Sequence, residues 1–292
     1  APDTAVAPAP RPSPRPPLAA RPKELSVTQV QTLIRDPYAI YARKILRLGP
    51  LDPLTPSADA LLRGNAIHSI LETFMKRQIA PDAPDARAIL MQISAAHLVT
   101  ACPWPTMQRM WLARIDRFAD WFLQTESIRQ GLASPVHFEE KASIGLDSID
   151  FQLVCKADRI DAAADGSVRV YDYKTGEAPT EKVQLLFDKQ LLLTAAMIER
   201  GAFDGLGKAA VAGATFIALG SSPKEVAAPL DKAPPDTVWA NFHTLIREWG
   251  QVDRGYSARL AMAMMSRPSD YDHLSRYGEW DETTPVTPVV LT

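Results

Sequence analysis

The sequence predicts an α/β fold in which helices flank a mixed sheet and a helical region is added on the N-terminal side. Two changes of pattern lead to this prediction. Up to about residue 130, apolar residues recur at three- and four-residue spacing, the period of amphipathic helices. From about residue 137, three consecutive segments alternate between apolar and polar residues, as half-buried strands do. A helix, a fourth apolar strand and a last helix follow, so helices and strands alternate in the second half.

Composition limits the possible functions. The chain has 292 residues, of which 46% are hydrophobic, and this is enough to bury a large core. The formal net charge of −2 argues against a protein that coats DNA by bulk electrostatics, so any contact with nucleic acid needs a local basic groove or a partner's surface. No apolar run is long enough to cross a membrane. Cys102 and Cys155 have no metal-ligand spacing, and two free thiols fit a reducing cytoplasm.

The N-terminal residues 1–24 are predicted to be a Pro-rich linker or tail. Residues 1–22 contain 8 of the 25 prolines, mixed with Ala and Arg. This composition favours extended polyproline-type conformations over a packed core. We expect the folded domain to cover residues 25–292, and we expect another domain to precede the linker in the natural protein.

The helical part of the domain is predicted to cover about residues 25–132. Ser26 can cap the first helix, which Asp36-Pro37 ends, since the residue before a proline avoids helical backbone angles. We interpret the large aromatic residues in the last helix as core packing in preference to a base-stacking surface. The remaining helices of this part are predicted over about 58–78, 85–100 and 104–130.

The catalytic α/β core is predicted to cover about residues 133–220, and a C-terminal helix and tail cover about 221–292. Asp147-Ser148 and Asp165-Gly166 supply turns that connect the three strands into a meander. The later elements are predicted as a helix over about 181–200, a strand over about 210–219 and a helix over about 235–264.

An acid and a base project from one face of the third strand. Asp172 and Lys174 are two residues apart, and side chains at that spacing in a strand share a face. Pairing with the preceding strand would bring Asp158 close to Asp172. Two adjacent carboxylates repel each other unless a cation lies between them, and oxygen ligands favour Mg²⁺ or Mn²⁺. Lys174 could then hold a phosphate oxygen, stabilise developing charge or orient an attacking water.

Each of these residues also has a simpler explanation. Asp172 and Lys174 could form an ordinary surface ion pair. His68 lies at the edge of an apolar helical stripe, where a histidine is either a hydrogen-bonded core residue or a metal ligand. Gln190 lies on an apolar helical face, so its amide must bond the backbone or reach the sheet end. Arg159 and Asp161, which point away from Asp158, are predicted to form a structural salt bridge.

Four short motifs occur in a characteristic order. They are GNAIH at 64–68, KADRID at 156–161, DYKTG at 172–176, and Gln190 in the next helix. Together, these motifs resemble the RecB-type branch of the PD-(D/E)XK nuclease superfamily, from about Leu25 to the end of the chain. The opening segment LSVTQVQTLIRDPYAIYARKIL and the tail DYDHLSRYGEW further resemble the C-terminal nuclease domains of the AddB family, subunits of the bacterial AddAB helicase-nuclease.

This resemblance implies a restriction-endonuclease-like core and a nuclease that hydrolyses phosphodiester bonds of single-stranded DNA, in double-strand-break repair and recombination. It implies that Lys174 is the catalytic lysine and that Gln190 helps to arrange the site. The implied cofactor is Mg²⁺, with Mn²⁺ possible. The implied metal ligands are His68, Asp158, Asp172 and the backbone carbonyl of Tyr173.

The implied partners are single-stranded DNA, an AddA-like helicase-nuclease subunit and a helicase-like region that precedes this domain in the same protein, with no membrane partner. The strand assigned to such a nuclease is the 5′-terminated one. Two alternatives remain open. One is a stand-alone RecB-like nuclease, and the other is a catalytically silent scaffold that guides DNA.

The chain departs from the resembling families at two places. Thr194 stands where a tyrosine often follows the Gln motif. Many AddB proteins also hold an iron-sulfur cluster with four cysteines, but Asp36 takes the first of these positions here and no cysteine follows Gln190. We therefore predict no cluster and expect packing to join the two ends of the domain. Candidates for this packing are Tyr38, Tyr41, Tyr271 and Trp280.

Overall fold

A six-stranded mixed sheet lies at the centre of the protein, which we describe from a computed structural model over residues 6–51, 54–263 and 268–291. The helices are α1 Val27–Arg35, α2 Pro37–Ile40, α3 Ala60–Lys76, α4 Ala86–Ala101, α5 Pro105–Leu132, α6 Glu181–Leu186, α7 Gln190–Glu199, α8 Pro235–Trp249 and α9 Asp272–Ser275. The strands are β1 Arg11–Arg15, β2 Glu24–Ser26, β3 Ser134–Leu146, β4 Ile149–Ala162, β5 Val168–Lys174, β6 Val211–Ala218, β7 Lys224–Ala227 and β8 Val286–Val290.

The central sheet combines parallel and antiparallel pairs. Strands follow the order β2-β4-β5-β6-β7, and β3 also pairs with β4. The meander β3-β4-β5 is antiparallel, whereas β5 pairs with β6 and β2 pairs with β4 in parallel. The predicted turns connect the meander, with positive φ angles of 67° at Ser148 and 82° at Gly166. The mixed sheet with helices on both sides confirms the predicted fold class.

The two faces of the sheet pack against different helices. Val168 and Val170 of β5 belong to a core with α1, α7 and α8, whereas Tyr171 and Tyr173 belong to a core with α3, α4 and α5. The large aromatics of α5 are buried or partly buried in this second core, which confirms their interpretation as packing residues. None of the helices in the described ranges combines the length and apolar character needed to cross a membrane.

Local signals predicted the start of α1 correctly. Ser26 Oγ accepts a hydrogen bond from Gln29 N at 3.2 Å, and Gln29 Oε1 accepts one from Ser26 N at 3.1 Å. This reciprocal capping box satisfies two backbone donors that a helix N-terminus leaves free. Strands β1, β2, β7 and β8 were not predicted, because short edge strands rich in proline or charge carry little alternation.

Two predicted helices are shorter than expected. The helix predicted over 181–200 breaks between α6 and α7, where the Phe187 ring packs 4.0 Å under the Arg35 guanidinium and Asp188 Oδ1 accepts a bond from Gln190 N. These contacts are non-local or specific to the break, so helical periodicity does not reveal them. The helix predicted over 235–264 ends at Trp249, and residue 264 lies outside the described residues.

Part of the segment predicted to be a linker packs against the C-terminal part of the chain. β1 pairs in parallel with β8, and the buried Arg11 donates to the carbonyls of Ala258 and Arg259 at 3.0 and 2.8 Å. Arg21 similarly donates to the Trp249 carbonyl at 2.6 Å. Composition suggested a free chain because proline-rich segments favour extended conformations over a packed core, but here arginine side chains attach the segment. Residues 1–5 of the predicted linker lie outside the described residues.

Asp36 joins the two ends of the domain. Its buried carboxylate accepts hydrogen bonds from Arg259 N at 3.0 Å and from Ser269 Oγ at 2.8 Å. The aromatic residues expected to contribute also make contacts between the ends, with the Tyr271 hydroxyl donating to the Leu48 carbonyl at 2.8 Å. The Tyr41 ring lies 6.3 Å from that of Tyr256, and the Tyr38 N–H donates to the Ser257 carbonyl oxygen. The ring of Trp280 lies 5.6 Å from the Arg11 guanidinium.

We expect Asp36→Ala to lower the free energy of unfolding by about 1–3 kcal/mol, because it leaves one buried backbone donor and one partly buried hydroxyl without their acceptor. Asp82→Ala, at an exposed position, should change it by less than about 0.5 kcal/mol. Urea denaturation of both variants measures these values. Equal stabilities of the two variants would show that Asp36 is not a structural link.

Candidate active site

The two central acids lie on adjacent strands at one end of the sheet. The register of β4 and β5 pairs Arg159 with Tyr171, which places Asp158 directly opposite Asp172. Asp158 Oδ2 accepts a hydrogen bond from Tyr173 N at 2.8 Å, so its carboxylate turns toward the end of β5. Both side chains are largely buried, with exposed fractions of 12% and 6%. The pairing expected from the turn between the strands is therefore present.

His68 reaches this sheet end from α3. Its Nε2 lies 2.8 Å from the Tyr173 carbonyl oxygen, and its Nδ1 lies 3.4 Å from Asp158 Oδ2. Gly64, one turn earlier in the helix, lies beside Thr175, where an added Cβ would be 3.7 Å from the Thr175 Oγ1. The imidazole thus faces polar groups of the sheet end, and it is not enclosed by the apolar core beneath α3.

Lys174 and Gln190 complete the group of predicted residues. The Lys174 ammonium donates to Gln190 Oε1 at 2.9 Å and lies 2.7 Å from Asp172 Oδ2. The Gln190 amide donates to Asp172 Oδ1. Because Gln190 is the first residue of α7, the break before this helix aims the amide at the strand end. The sequence left two roles for this amide, a bond to the backbone or a contact with the sheet end. The structure shows the contact with the sheet end.

Glu139 is a member of this group that the sequence prediction missed. Its Oε1 lies 3.7 Å from His68 Nδ1, and its other oxygen forms an ion pair with Lys156. The ligand atoms of His68, Glu139 and Asp158 all lie within 4.8 Å of one another, so this triad could hold a metal ion. The register of the β3–β4 hairpin could have revealed it. Phe138 pairs with Arg159 and Glu140 pairs with Ala157, so Glu139 lies opposite Asp158.

These side chains line one open cleft of about 880 Å³. His68, Asp158, Asp172, Lys174 and Gln190 all contribute to its wall. Each residue predicted for the site therefore lies in the same cleft, with the Tyr173 backbone at its base. Other polar residues that line it are Asn65, Ser69, Glu72, Glu139, Lys156 and Thr175.

Electrostatics in the cleft reflect carboxylates held close together. Burial, together with the negative charge of Asp172, raises the pKa of Asp158 to about 7. Burial alone would lower the pKa of the His68 imidazole, but the carboxylates of Glu139, Asp158 and Asp172 outweigh it and raise this pKa. A hydrogen bond with His68, supported by Lys156, lowers the pKa of Glu139 to about 2 despite its partial burial. The site thus attracts positive charge.

A buried ionic network supports the site from the opposite face of β5. The fully buried Arg159 guanidinium donates to both Asp161 oxygens, at 2.6 and 2.5 Å, and to Glu126 Oε2 at 2.7 Å. Its Nη1 also lies 3.3 Å from the Tyr173 hydroxyl. The predicted structural salt bridge between Arg159 and Asp161 is confirmed. Through Tyr173 this network fixes the strand segment that carries the carbonyl facing His68.

Thr194, the residue that departs from the family pattern, lies beneath the site. Its hydroxyl donates to the Gln190 carbonyl at 2.8 Å and lies 3.2 Å from Cys155 Sγ. Cys155 is buried, as its apolar strand predicted, and burial raises the pKa of its thiol to about 12. Thr194 therefore packs inside α7 against β4 and contributes no group to the cleft.

The central sheet thus carries one carboxylate on each of two adjacent strands, with a lysine two residues after the second. A family model of the PD-(D/E)XK nuclease superfamily matches residues 24–270, which is most of the chain. The chain belongs to this superfamily, and its fold is the PD-(D/E)XK fold. Its family consists of nucleases, which hydrolyse phosphodiester bonds and use divalent metal ions.

Relatives of the chain occur in Rickettsia. An uncharacterized protein of Rickettsia bellii is 29% identical over 186 residues, which is 63% of this chain and 22% of that protein. Another from Rickettsia conorii is 30% identical over 190 residues, 62% of this chain and 23% of that protein. The chain thus matches less than a quarter of the length of these relatives. The crystal structure of SSO0001 aligns over 77% of this chain and 76% of that one at 12% identity with a TM-score of 0.32, too low to support an argument.

We expect Asp158→Asn to stabilise the metal-free protein more at about pH 8 than at about pH 5, by about 2–3 kcal/mol. The carboxyl is protonated more readily in the folded state, with a pKa of about 7, than in the unfolded chain. The protonated Asp158 carboxyl therefore stabilises the fold at low pH, and this stabilisation is lost as the pH rises through about 7. Urea denaturation at the two pH values, with Asp82→Asn as control, measures the difference. An equal effect at both would contradict the raised pKa.

Proposed function

We propose that the chain is a divalent-metal-dependent deoxyribonuclease that hydrolyses single-stranded DNA produced by a helicase motor, in double-strand-break repair and recombination. The observation that carries this proposal is the convergence of His68, Asp158, Asp172, Lys174 and Gln190 in one open cleft. A structural ion pair needs only two of these groups, whereas metal-assisted phosphodiester hydrolysis needs clustered carboxylates with a cationic side chain beside them.

The residues of the cleft fit a divalent cation. Asp172 Oδ2 is buried and accepts no well-aligned hydrogen bond from the residues that the structure describes, although the Lys174 ammonium is close to it. Burial and the neighbouring charge of Asp172 raise the pKa of Asp158, and a cation between the two carboxylates would relieve both effects. Oxygen ligands with one imidazole suit Mg²⁺, or Mn²⁺ as a substitute. The proposed ligands are His68, Asp158, Asp172 and the Tyr173 carbonyl, with the Glu139 carboxylate beside them.

A bound divalent ion supplies a Lewis acid for the scissile phosphate and lowers the pKa of a coordinated water. The protein's own groups do the positioning. Gln190 holds the Asp172 carboxylate through its amide N–H and the Lys174 ammonium through its carbonyl oxygen. Lys174 therefore keeps its charge at the cleft surface, where an ammonium stabilises the negative charge that develops on a phosphate oxygen during attack.

Two alternatives are less well supported. A silent DNA-guiding scaffold has no use for two largely buried carboxylates side by side, because their repulsion destabilises the fold. A stand-alone nuclease remains the second candidate function. The helicase-nuclease setting, with an AddA-like subunit and a helicase-like region preceding residues 25–292, draws support from the AddB-like segments and from relatives in which the matching part is 22–23% of the protein. A cytoplasmic location belongs to the same proposal.

We expect Asp172→Asn to reduce Mg²⁺-dependent cleavage of a labelled single-stranded oligonucleotide by at least about a thousandfold. The substitution removes one negative charge from the proposed ligand set but leaves the shape of the side chain. Binding of the oligonucleotide, measured by fluorescence anisotropy, should remain largely unchanged. The matched control is Asp82→Asn, which should cleave like the wild type. Full activity of Asp172→Asn, or no cleavage by the wild type with Mg²⁺ or Mn²⁺, alone or with its partner subunit, would refute the enzyme assignment.

The helicase-nuclease setting predicts a dependence on ATP. Single-stranded DNA should be cleaved with or without ATP, whereas blunt duplex DNA should be degraded only when ATP and a helicase partner subunit are both present, since the cleft must receive a separated strand. Gel analysis of both substrates distinguishes the two settings. Degradation of blunt duplex DNA by this chain alone, without ATP, would favour the stand-alone nuclease.

A further inference from the structure

Three arginines lie together next to the cleft. Arg114 of α5 donates through Nη2 to the carbonyl oxygen of Thr175 at 3.0 Å, and Thr175 directly follows Lys174. Arg63 of α3 immediately precedes Gly64, which lies against the side chain of the same Thr175. Arg117 is three residues after Arg114, so the two share a face of α5. We call Arg63, Arg114 and Arg117 the arginine cluster.

The arginine cluster has no acidic partners in the described part of the chain. Among the described residues, no carboxylate lies within 4.0 Å of any of its three guanidinium groups. By contrast, Arg87 lies next to the same helix and pairs with Asp116 and Asp120 at 2.9 and 2.8 Å. Burial and the positive charges of Arg63 and Arg117 together lower the pKa of the Arg114 guanidinium. Three neighbouring like charges therefore remain without compensation.

These groups are also short of hydrogen-bond acceptors. The Nε atoms of Arg63 and Arg114 are buried and have no hydrogen-bond partner within the described part of the chain. Arg63 and Arg114 are partly exposed and Arg117 is exposed, so part of each guanidinium remains accessible from solvent. Guanidinium groups in this state match the geometry and charge of phosphate oxygens, which accept bidentate hydrogen bonds.

Charge distribution explains why a DNA substrate needs such a surface. The whole chain has a net charge of −2, and the cleft itself contains the carboxylates of Glu72, Glu139, Asp158 and Asp172. DNA phosphates approaching this cleft would be repelled unless a local basic surface lies beside it. The arginine cluster provides positive charge at the edge of the cleft, next to Thr175, which directly follows the proposed catalytic Lys174.

We propose that Arg63, Arg114 and Arg117 form a phosphate-binding surface that holds the backbone of the DNA strand where it passes the edge of the cleft. This inference rests on the proposed nuclease function, and it specifies where the DNA backbone runs beside the cleft. The surface recognises phosphates and reads no bases, so it binds strands of any sequence. It contributes to substrate binding and leaves the chemistry to the groups inside the cleft.

The test uses Arg63→Gln/Arg117→Gln and leaves Arg114 unchanged, because Arg114 also holds the Thr175 carbonyl beside Lys174. The control is Arg77→Gln/Arg247→Gln, which removes the same charge from exposed positions outside the cleft. Binding of a fluorescein-labelled single-stranded oligonucleotide of mixed sequence is measured by anisotropy over a series of salt concentrations. Both proteins carry Asp172→Asn, so that no cleavage occurs. Thermal unfolding of both variants checks that they are folded.

We expect the cluster variant to bind about tenfold or more weakly than the control, since it loses two charge-assisted contacts. The slope of log K against log salt concentration should become shallower by about 1.4, which is about 0.7 for each lost phosphate contact on a single strand. With Asp172 restored, KM should rise and kcat should stay close to that of the control, as expected for a group that binds substrate and transition state equally.

A cluster variant with the affinity and salt slope of the control would overturn the proposal, and so would a fall in kcat with unchanged KM. Failure of the proposed function is a separate outcome. If the wild-type protein cleaves no DNA but the cluster variant still shows the weaker binding and the shallower slope, the phosphate-binding surface stands and the nuclease assignment falls.

Discussion

The repulsion between Asp158 and Asp172 is the interaction on which the arrangement of the site depends. Adjacent strands hold these carboxylates at a buried sheet end, where solvent screens their charges poorly. The groups that compensate come from elements far apart in sequence: a backbone N–H from β5, an imidazole from α3 and an amide from α7. These three contacts form together only when the sheet, α3 and α7 are assembled.

The two faces of β5 hold opposite kinds of ionic cluster. On one face Arg129 and Arg159 are both paired with carboxylates, those of the buried Glu126 and Asp161 and that of the more exposed Glu225. On the other face the acids of the cleft exceed the cations that contact them. A buried ionic cluster is stable when its members are paired and costly when they are not. The first cluster fixes β5 in place, and the second gives the cleft an affinity for a further positive charge. Tyr173 lies between the two clusters.

Sequence patterns predicted the parts of the fold that depend on local periodicity. The helices α3, α4 and α5, the meander and the pairing of Asp158 with Asp172 all follow from spacing and turn residues. Glu139 escaped prediction because its role depends on hairpin register, and a shift of one residue would turn it to the other face. The break before Gln190 and the packed Arg11 also escaped, because contacts with distant segments decide both and no local pattern records them.

The pairing of β1 with β8 has a consequence for how the protein is made. Besides β8, the backbone of β1 also accepts hydrogen bonds from Tyr256 and Ala258, so its partners lie near the opposite end of the chain. During synthesis β1 emerges from the ribosome more than 200 residues before these partners. In a nascent chain β1 therefore cannot make these contacts until residues 256–290 have also been synthesised, so closure of the domain follows the formation of more local structure.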